Sequence, residues 1–198
     1  MDAETKLISG GDGAIFTNIL SKEQVLPEEE NSVNQLIINC RESKDSLNTL
    51  YTMFKDSVFA VAFGITSDYH LAEDCVIETF VRLTQVKRFS PKKGDGKGFI
   101  LTIARNVALE LRRRHQREIS DFVIQSYGEA EKTVEDSIYI NQLLKYLNEK
   151  QRETVILHCC AELTFRQIAK IMKCPETTAK SRYQKAISIL KEKAGEQQ

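Results

Sequence analysis

From Leu47 onward the apolar residues fall at steps of three and four: Leu47, Leu50, Tyr51, Phe54, Val58, Val61 and Ala62. With 3.6 residues per turn, that spacing lines one face of a helix. Gly64 is expected to end it. Asp68 is a good capping residue for a second helix, which carries Leu71, Ala72, Cys75, Val76, Phe80 and Leu83 along one stripe. A third is predicted from about Phe99 to Arg117, with Leu101, Ile103, Ala104, Val107, Ala108 and Leu111 inward. After a break, four more follow. Ser137–Leu147 presents Ile138, Ile140, Leu143, Leu144 and Leu147, and Asn148 can cap a helix that runs to about Ala161. Thr164, with Gln167 three residues on, has the capping-box form, and Pro175 suits the first position of a last helix ending near Lys193. No apolar–polar alternation persists beyond a few residues. The expected fold class is all-α: two small helical domains, one a three-to-four-helix bundle and one a helix-turn-helix bundle, joined by a flexible linker.

The first 45 residues are weakly patterned. Gly10-Gly11-Asp12-Gly13 breaks any early helix, and Pro27-Glu28-Glu29-Glu30 reads as loop. A short helix around Val33–Cys40 fits Val33, Leu36, Ile37 and Cys40. The formal net charge is zero, but the charge alternates along the chain. Residues 1–45 carry −5, residues 46–117 carry +5, residues 118–137 carry −5 and residues 138–198 carry +5. The expected organisation is an acidic arm (1–45), a basic domain (46–117), an acidic linker (118–136) and a second basic domain (137–198). Basic domains suit a polyanionic partner. No apolar run approaches the roughly 20 residues of a membrane span, and Met1–Lys6 does not open a secretory signal. The five cysteines form no CxxC pair, which fits a reducing, cytoplasmic setting.

The segment from Leu163 to Ala194 reads as helix, tight turn, helix. Phe165, Ile168, Ala169 and Met172 can bury one face of the first helix; Ala179, Tyr183, Ala186, Ile187 and Leu190 can bury one face of the second. The other face of the second shows Thr177, Thr178, Lys180, Ser181, Arg182, Gln184 and Lys185. Hydroxyls and cations near a helix start can reach phosphates and base edges. Two readings fit this face: a DNA-recognition helix, or the solvated side of a small bundle. His158, Cys159, Cys160 and Cys174 follow no zinc framework, because adjacent cysteines on a helix diverge by about 100°. Core packing is the simpler role for them. No catalytic constellation, metal site or cofactor motif is present, so neither an enzyme nor a small-molecule substrate is expected.

Two motif blocks add a family resemblance. Asn148-Glu149-Lys150-Gln151-Arg152-Glu153, Leu163 through Ala169, and Ala179-Lys180-Ser181-Arg182 resemble region 4 of the extracytoplasmic-function (ECF) sigma factors, within the bacterial sigma-70 family. Leu71 through Leu83 and Leu101 through Glu110, followed by an arginine run, resemble region 2 of the same family. The two blocks stand in the family's order and spacing. The resemblance implies a non-catalytic subunit that takes core RNA polymerase to promoters. Region 2 would meet the clamp helices of the largest subunit and the minus-ten element; region 4 would meet the flap and the minus-35 element. It assigns Asp74, Glu78, Thr79, Phe80 and Leu83 to polymerase contact, with Phe80 and Leu83 equally readable as core. It assigns Lys92, Lys93, Lys97, Phe99, Arg105, Asn106, Arg112 and Arg113 to promoter DNA, along with the recognition face named above. The arginine run also suits the negative end of a helix dipole.

An anti-sigma partner covering region 2, region 4 or both is a further expectation from the resemblance. The acidic arm could cover a basic face as an internal brake. The alternative function is a helix-turn-helix regulator that binds DNA without core polymerase. Four departures from the family pattern stand out. Gly96 and Phe99 occupy the places of an aromatic pair, and Ile77 replaces a glutamine. Lys173 replaces the turn glycine, a left-handed position that costs a lysine some energy. Thr177-Thr178-Ala179 replaces Gly-Thr-Val.

Overall fold

The computed structural model describes residues 27–87, 89–91, 95–121 and 142–195, without the side chains of 27–31 and 118–121. Lys92, Lys93, the first 26 residues and all of the expected linker beyond Asp121 lie outside them. The described part is helical, with no strand among the described residues. Seven helices run in order: α1 Pro27–Asn39, α2 Lys44–Thr66, α3 Tyr69–Gln85, α4 Gly96–Asp121, α5 Glu149–Cys159, α6 Phe165–Met172 and α7 Glu176–Gly195. A further turn of helix, residues 142–145, leads into α5.

Each start has a local cause. Ser43 accepts a hydrogen bond from the Ser46 amide at the head of α2, and Asp68 accepts one from Leu71 at 2.8 Å at the head of α3. Asp95 accepts from the Gly98 amide at 2.6 Å and begins α4. Asn148 and Gln151 form a reciprocal capping box on α5, and Thr164 and Gln167 form one on α6. The sequence places Pro27–Glu30 in a loop, but α1 starts at Pro27. A proline in the first position, followed by three acidic residues, suits the positive end of a helix dipole. The predicted stop at Gly64 also differs, because α2 continues to Thr66.

The packing explains Gly64, which the sequence assigned to a helix end, and Gly96. A Cβ on Gly64 would run into the side chain of Ile156 from α5. A Cβ on Gly96 would come within 2.7 Å of Ile37 and 2.8 Å of Val33, both on α1. Gly96 therefore lets α1 lie close against the first turn of α4. Leu50, Val58, Val61, Ala72, Cys75, Leu83, Leu101, Ala104 and Val107 are almost fully buried between α2, α3 and α4. Val33 and Ile37 of α1, with Cys40 just after it, complete that core.

The same buried cluster continues through Ile156, Leu157, Leu163, Ile168 and Ala179, so α5, α6 and the start of α7 are packed onto the first bundle. A second, small cluster joins Leu147, Val155 and Ala186.

Lys173 ends α6 at φ 51°, ψ 52°, in the left-handed region anticipated for it. The Cys174 amide donates to the Ala169 carbonyl at 3.0 Å, closing the helix end. A left-handed non-glycine residue costs about 1 kcal/mol. Lys173→Gly is expected to stabilise the protein by about that amount in urea denaturation followed by circular dichroism; a loss of stability would contradict the strain.

Candidate DNA and polymerase interfaces

The helix-turn-helix is α6, the Lys173–Pro175 turn and α7. Ala179 and Ala186 anchor α7 in the interior, while Thr177, Lys180, Ser181, Gln184 and Lys185 are exposed, and Thr178 and Arg182 are half-buried. Arg182 Nη1 also lies 3.6 Å from Cys174 Sγ, which steadies it against the turn. A groove of 440 Å³ runs between this face and the start of α5, where it meets Asn148, Lys150 and Gln151. A second groove of 420 Å³ at the turn is lined by Arg166, Lys170 and Lys173. The sequence reading missed these cations. Their spacing at i, i+4 and i+7 along the outer side of α6 was the signal that could have found them.

On the first bundle, the residues assigned to DNA divide in two. Asn106 and Arg113 are exposed. Arg105 and Arg112 instead face α5. Both Nε and Nη2 of Arg105 engage the Glu153 carboxylate. Arg112 reaches Glu149 at 3.0 Å and the Ile65 carbonyl at 3.3 Å. Lys97 lies 3.4 Å from Glu162. Phe99 is half-buried, its ring 4.9 Å from that of Phe89.

The residues assigned to polymerase divide as well. Thr79, Phe80 and Leu83 are buried between α2, α3 and α4, so they hold α3 in place and present no surface. Their stripe is the inward one, as the apolar spacing alone allowed. Asp74 is exposed, and Glu78 is half-exposed and accepts from Arg82 at 2.7 Å. Arg82 also donates to Glu110 at 2.7 Å, and that bond holds the Glu110 carboxyl below its usual range. Beside the acidic positions, Ile77 is 64% exposed and Val81 43%, one turn apart on the same face. Neither was singled out as a contact; an apolar residue breaking the buried stripe of α3 was the available clue.

Two family models match the chain: Sigma-70 region 2 over residues 50–118 and Sigma-70 region 4 over residues 137–190. Together they cover more than half of it, in the order the two bundles occupy. The chain is 29% identical over 143 residues to the ECF RNA polymerase sigma factor SigM of Bacillus subtilis (strain 168), a match that covers 69% of this chain and 87% of SigM. The chain belongs to the ECF sigma factors of the sigma-70 family. Its function is to direct transcription initiation, and its family is a non-enzymatic, regulatory one. Two solved structures are similar. The sigma factor RpoE in complex with the anti-sigma factor NepR from Bartonella quintana superposes with a TM-score of 0.58 at 26% identity, covering 76% of this chain and 96% of that one. CnrH in complex with the cytosolic domain of CnrY gives 0.63 at 14% identity, covering 83% and 98%, a likeness of fold.

The thiols of this sigma factor are packing groups. Cys75 donates to the Ala104 carbonyl at 3.4 Å from full burial, and burial pushes its pKa up to about 11. Burial does the same to Cys160, also to about 11, and raises Cys40 and Cys159. His158, the other residue weighed for zinc, contacts the Leu163 carbonyl at 2.8 Å through Nδ1 and stacks on Phe165 at 4.5 Å. Among the described residues, no group of three or more His, Cys, Asp or Glu is placed to hold a metal. No described helix is long and apolar enough to cross a membrane. The thiolate is the reactive form, and a thiol with a pKa of about 11 is roughly a thousandth ionised at pH 8. Peptide mapping after iodoacetamide at pH 8 should therefore find Cys75 and Cys160 alkylated at least about tenfold more slowly in the folded protein than in urea. Equal rates would contradict this protection.

Proposed function

We propose that residues 46–117 act as region 2, at the minus-ten promoter element, and residues 137–198 as region 4, at the minus-35 element. Residues 118–136 are the acidic connector, and residues 1–45 the acidic arm, whose α1 is docked on region 2. The observation that carries the reading is the occurrence in one chain of both region matches, each on a helical unit with a basic surface. Tethering lets two weak DNA contacts reinforce each other. A regulator acting without polymerase would need no region 2, which weighs against that alternative.

In region 4 the DNA-facing set is Thr177, Thr178, Lys180, Ser181, Arg182, Gln184 and Lys185. In region 2 the proposed DNA-contacting set is Lys92, Lys93, Lys97, Phe99, Arg105, Asn106, Arg112 and Arg113, of which Arg105 and Arg112 are turned toward α5 in the structure. Lysines meet phosphates as point charges, whereas arginine and asparagine can also read base edges. For core polymerase the surface is Asp74 and Glu78, with Ile77 between them and Val81 one turn beyond Ile77; it would meet the clamp helices, and region 4 the flap. Thr79, Phe80 and Leu83 serve this surface from beneath. The chain works in the cytoplasm, performs no catalysis, and needs no cofactor or small-molecule substrate. An anti-sigma factor regulates it, in line with the complex reported for the RpoE relative.

Association with purified core polymerase, followed by sedimentation, tests the central part of this reading. Asp74→Lys should weaken it about tenfold, about 1.4 kcal/mol, since reversing a charge at an interface turns attraction into like-charge repulsion; a wild-type chain that does not co-sediment would contradict the assignment. Lys180→Ala combined with Lys185→Ala should lower affinity for minus-35 duplex and reduce the slope of log K against log salt by about 2. An unchanged slope would remove both lysines from the phosphate contacts.

A further inference from the structure

Asp74, Glu78 and Arg82 follow one another a turn apart along α3, beside the exposed Ile77 and Val81. Arg82 reaches back to Glu78 and across to Glu110 on α4. Its Nε donates to Glu78 Oε1 and its Nη2 to Glu110 Oε2, both at 2.7 Å. A guanidinium is planar and its donors point in fixed directions, so the two bonds set the orientation of both carboxylates. A glutamate one turn before its cation is also the favoured order for a pair on a helix. The bond to Arg82 holds the Glu110 carboxyl below its usual range, which keeps this anchor ionised. Three carboxylates against one guanidinium leave the patch net acidic.

We propose that Arg82, anchored on Glu110, is a positioning residue that holds the Glu78 carboxylate in the orientation in which it meets a cation of core polymerase. The inference rests on the proposed polymerase surface and adds to it two residues that act through Glu78 without touching the partner. The bridge is not needed for the fold. Its side chains are 37%, 43% and 53% exposed for Arg82, Glu78 and Glu110, and ion pairs that open to water contribute little to stability. Burial of Cys75, Thr79, Phe80 and Leu83 already fixes α3 against its neighbours, and Cys75 Sγ donates to the Ala104 carbonyl of α4. What the bridge does fix is Glu78. A glutamate on an open helix face samples many rotamers, and ordering it at an interface costs entropy. Here Oε1 is engaged by Arg82 before any partner arrives, and a carboxylate has a second oxygen, Oε2, with which to accept from an incoming donor. Glu110 offsets the charge of Arg82, so the guanidinium orients Glu78 without making the patch repel a cation.

A double-mutant cycle on association of the full chain with purified core polymerase tests this role. R82Q should weaken association about fivefold in the wild-type background and by less than about twofold in E78Q, because contacts in one network are not additive. Charge alone predicts the opposite sign, since removing a cation from an acidic surface that meets a cation would tighten association. R82K keeps the charge but not the two fixed donor directions, and should lose nearly as much as R82Q. Thermal unfolding followed by circular dichroism should give R82Q a midpoint close to that of the wild type, which separates positioning from a role in the fold. Association of R82Q as tight as wild type, a fivefold loss repeated in full in E78Q, or a loss matched by a large fall in the thermal midpoint would each overturn the inference. A wild-type chain that does not bind would sink the proposed polymerase surface and this role with it; a wild-type chain that binds, with additive losses in the cycle, would remove the positioning role alone.

Discussion

The contact on which the whole arrangement depends is Ile156 of α5 seated over Gly64 of α2. It joins what would otherwise be two separate cores into one buried cluster. A small helical unit of some 60 residues buries little apolar surface by itself. Docking one unit on the other therefore adds burial for both, while the arginine–glutamate pairs beside it fix the orientation. The cost of that docking is functional: the join covers two of the cations on which region 2 would draw for DNA.

This places competing demands on a few side chains. Arg105 and Arg112 have a guanidinium fork that accepts any planar pair of oxygens, and Glu149 and Glu153 supply such pairs within the same chain. The region 4 recognition face carries no such cover: Thr177, Lys180, Ser181, Gln184 and Lys185 are exposed while the first bundle is docked. On α3 of region 2, Asp74, Ile77 and Val81 also remain open. The docked arrangement thus leaves the proposed polymerase surface and the proposed region 4 DNA surface exposed, while Arg105 and Arg112 are turned toward α5.

Much of the fold was legible in the sequence because apolar spacing and capping chemistry agree. Asp68, Asn148 and Thr164 cap the helices they were expected to cap, and Lys173 takes the left-handed turn. Gly64 was misread for one reason: a glycine in a sequence marks either a break or a close approach, and only the partner tells which. Gly64 and Gly96 are close approaches, to Ile156 and to Ile37 with Val33. The site was less legible. Composition shows that Arg105 and Arg112 are cations; it cannot show that glutamates some 40 residues later meet them. The inward stripe of α3 took Thr79, Phe80 and Leu83 to the core and left Ile77 outside, a division that spacing contained but motif matching overrode.

The measurement that bears most directly on the account is in vitro transcription from fragmented genomic DNA with purified core polymerase, with and without the chain, mapping the 5′ ends of the transcripts. The account predicts a discrete set of start sites that appears only when the chain is added and that shares sequence elements near minus-ten and minus-35. Start sites that are the same with and without it would contradict the account.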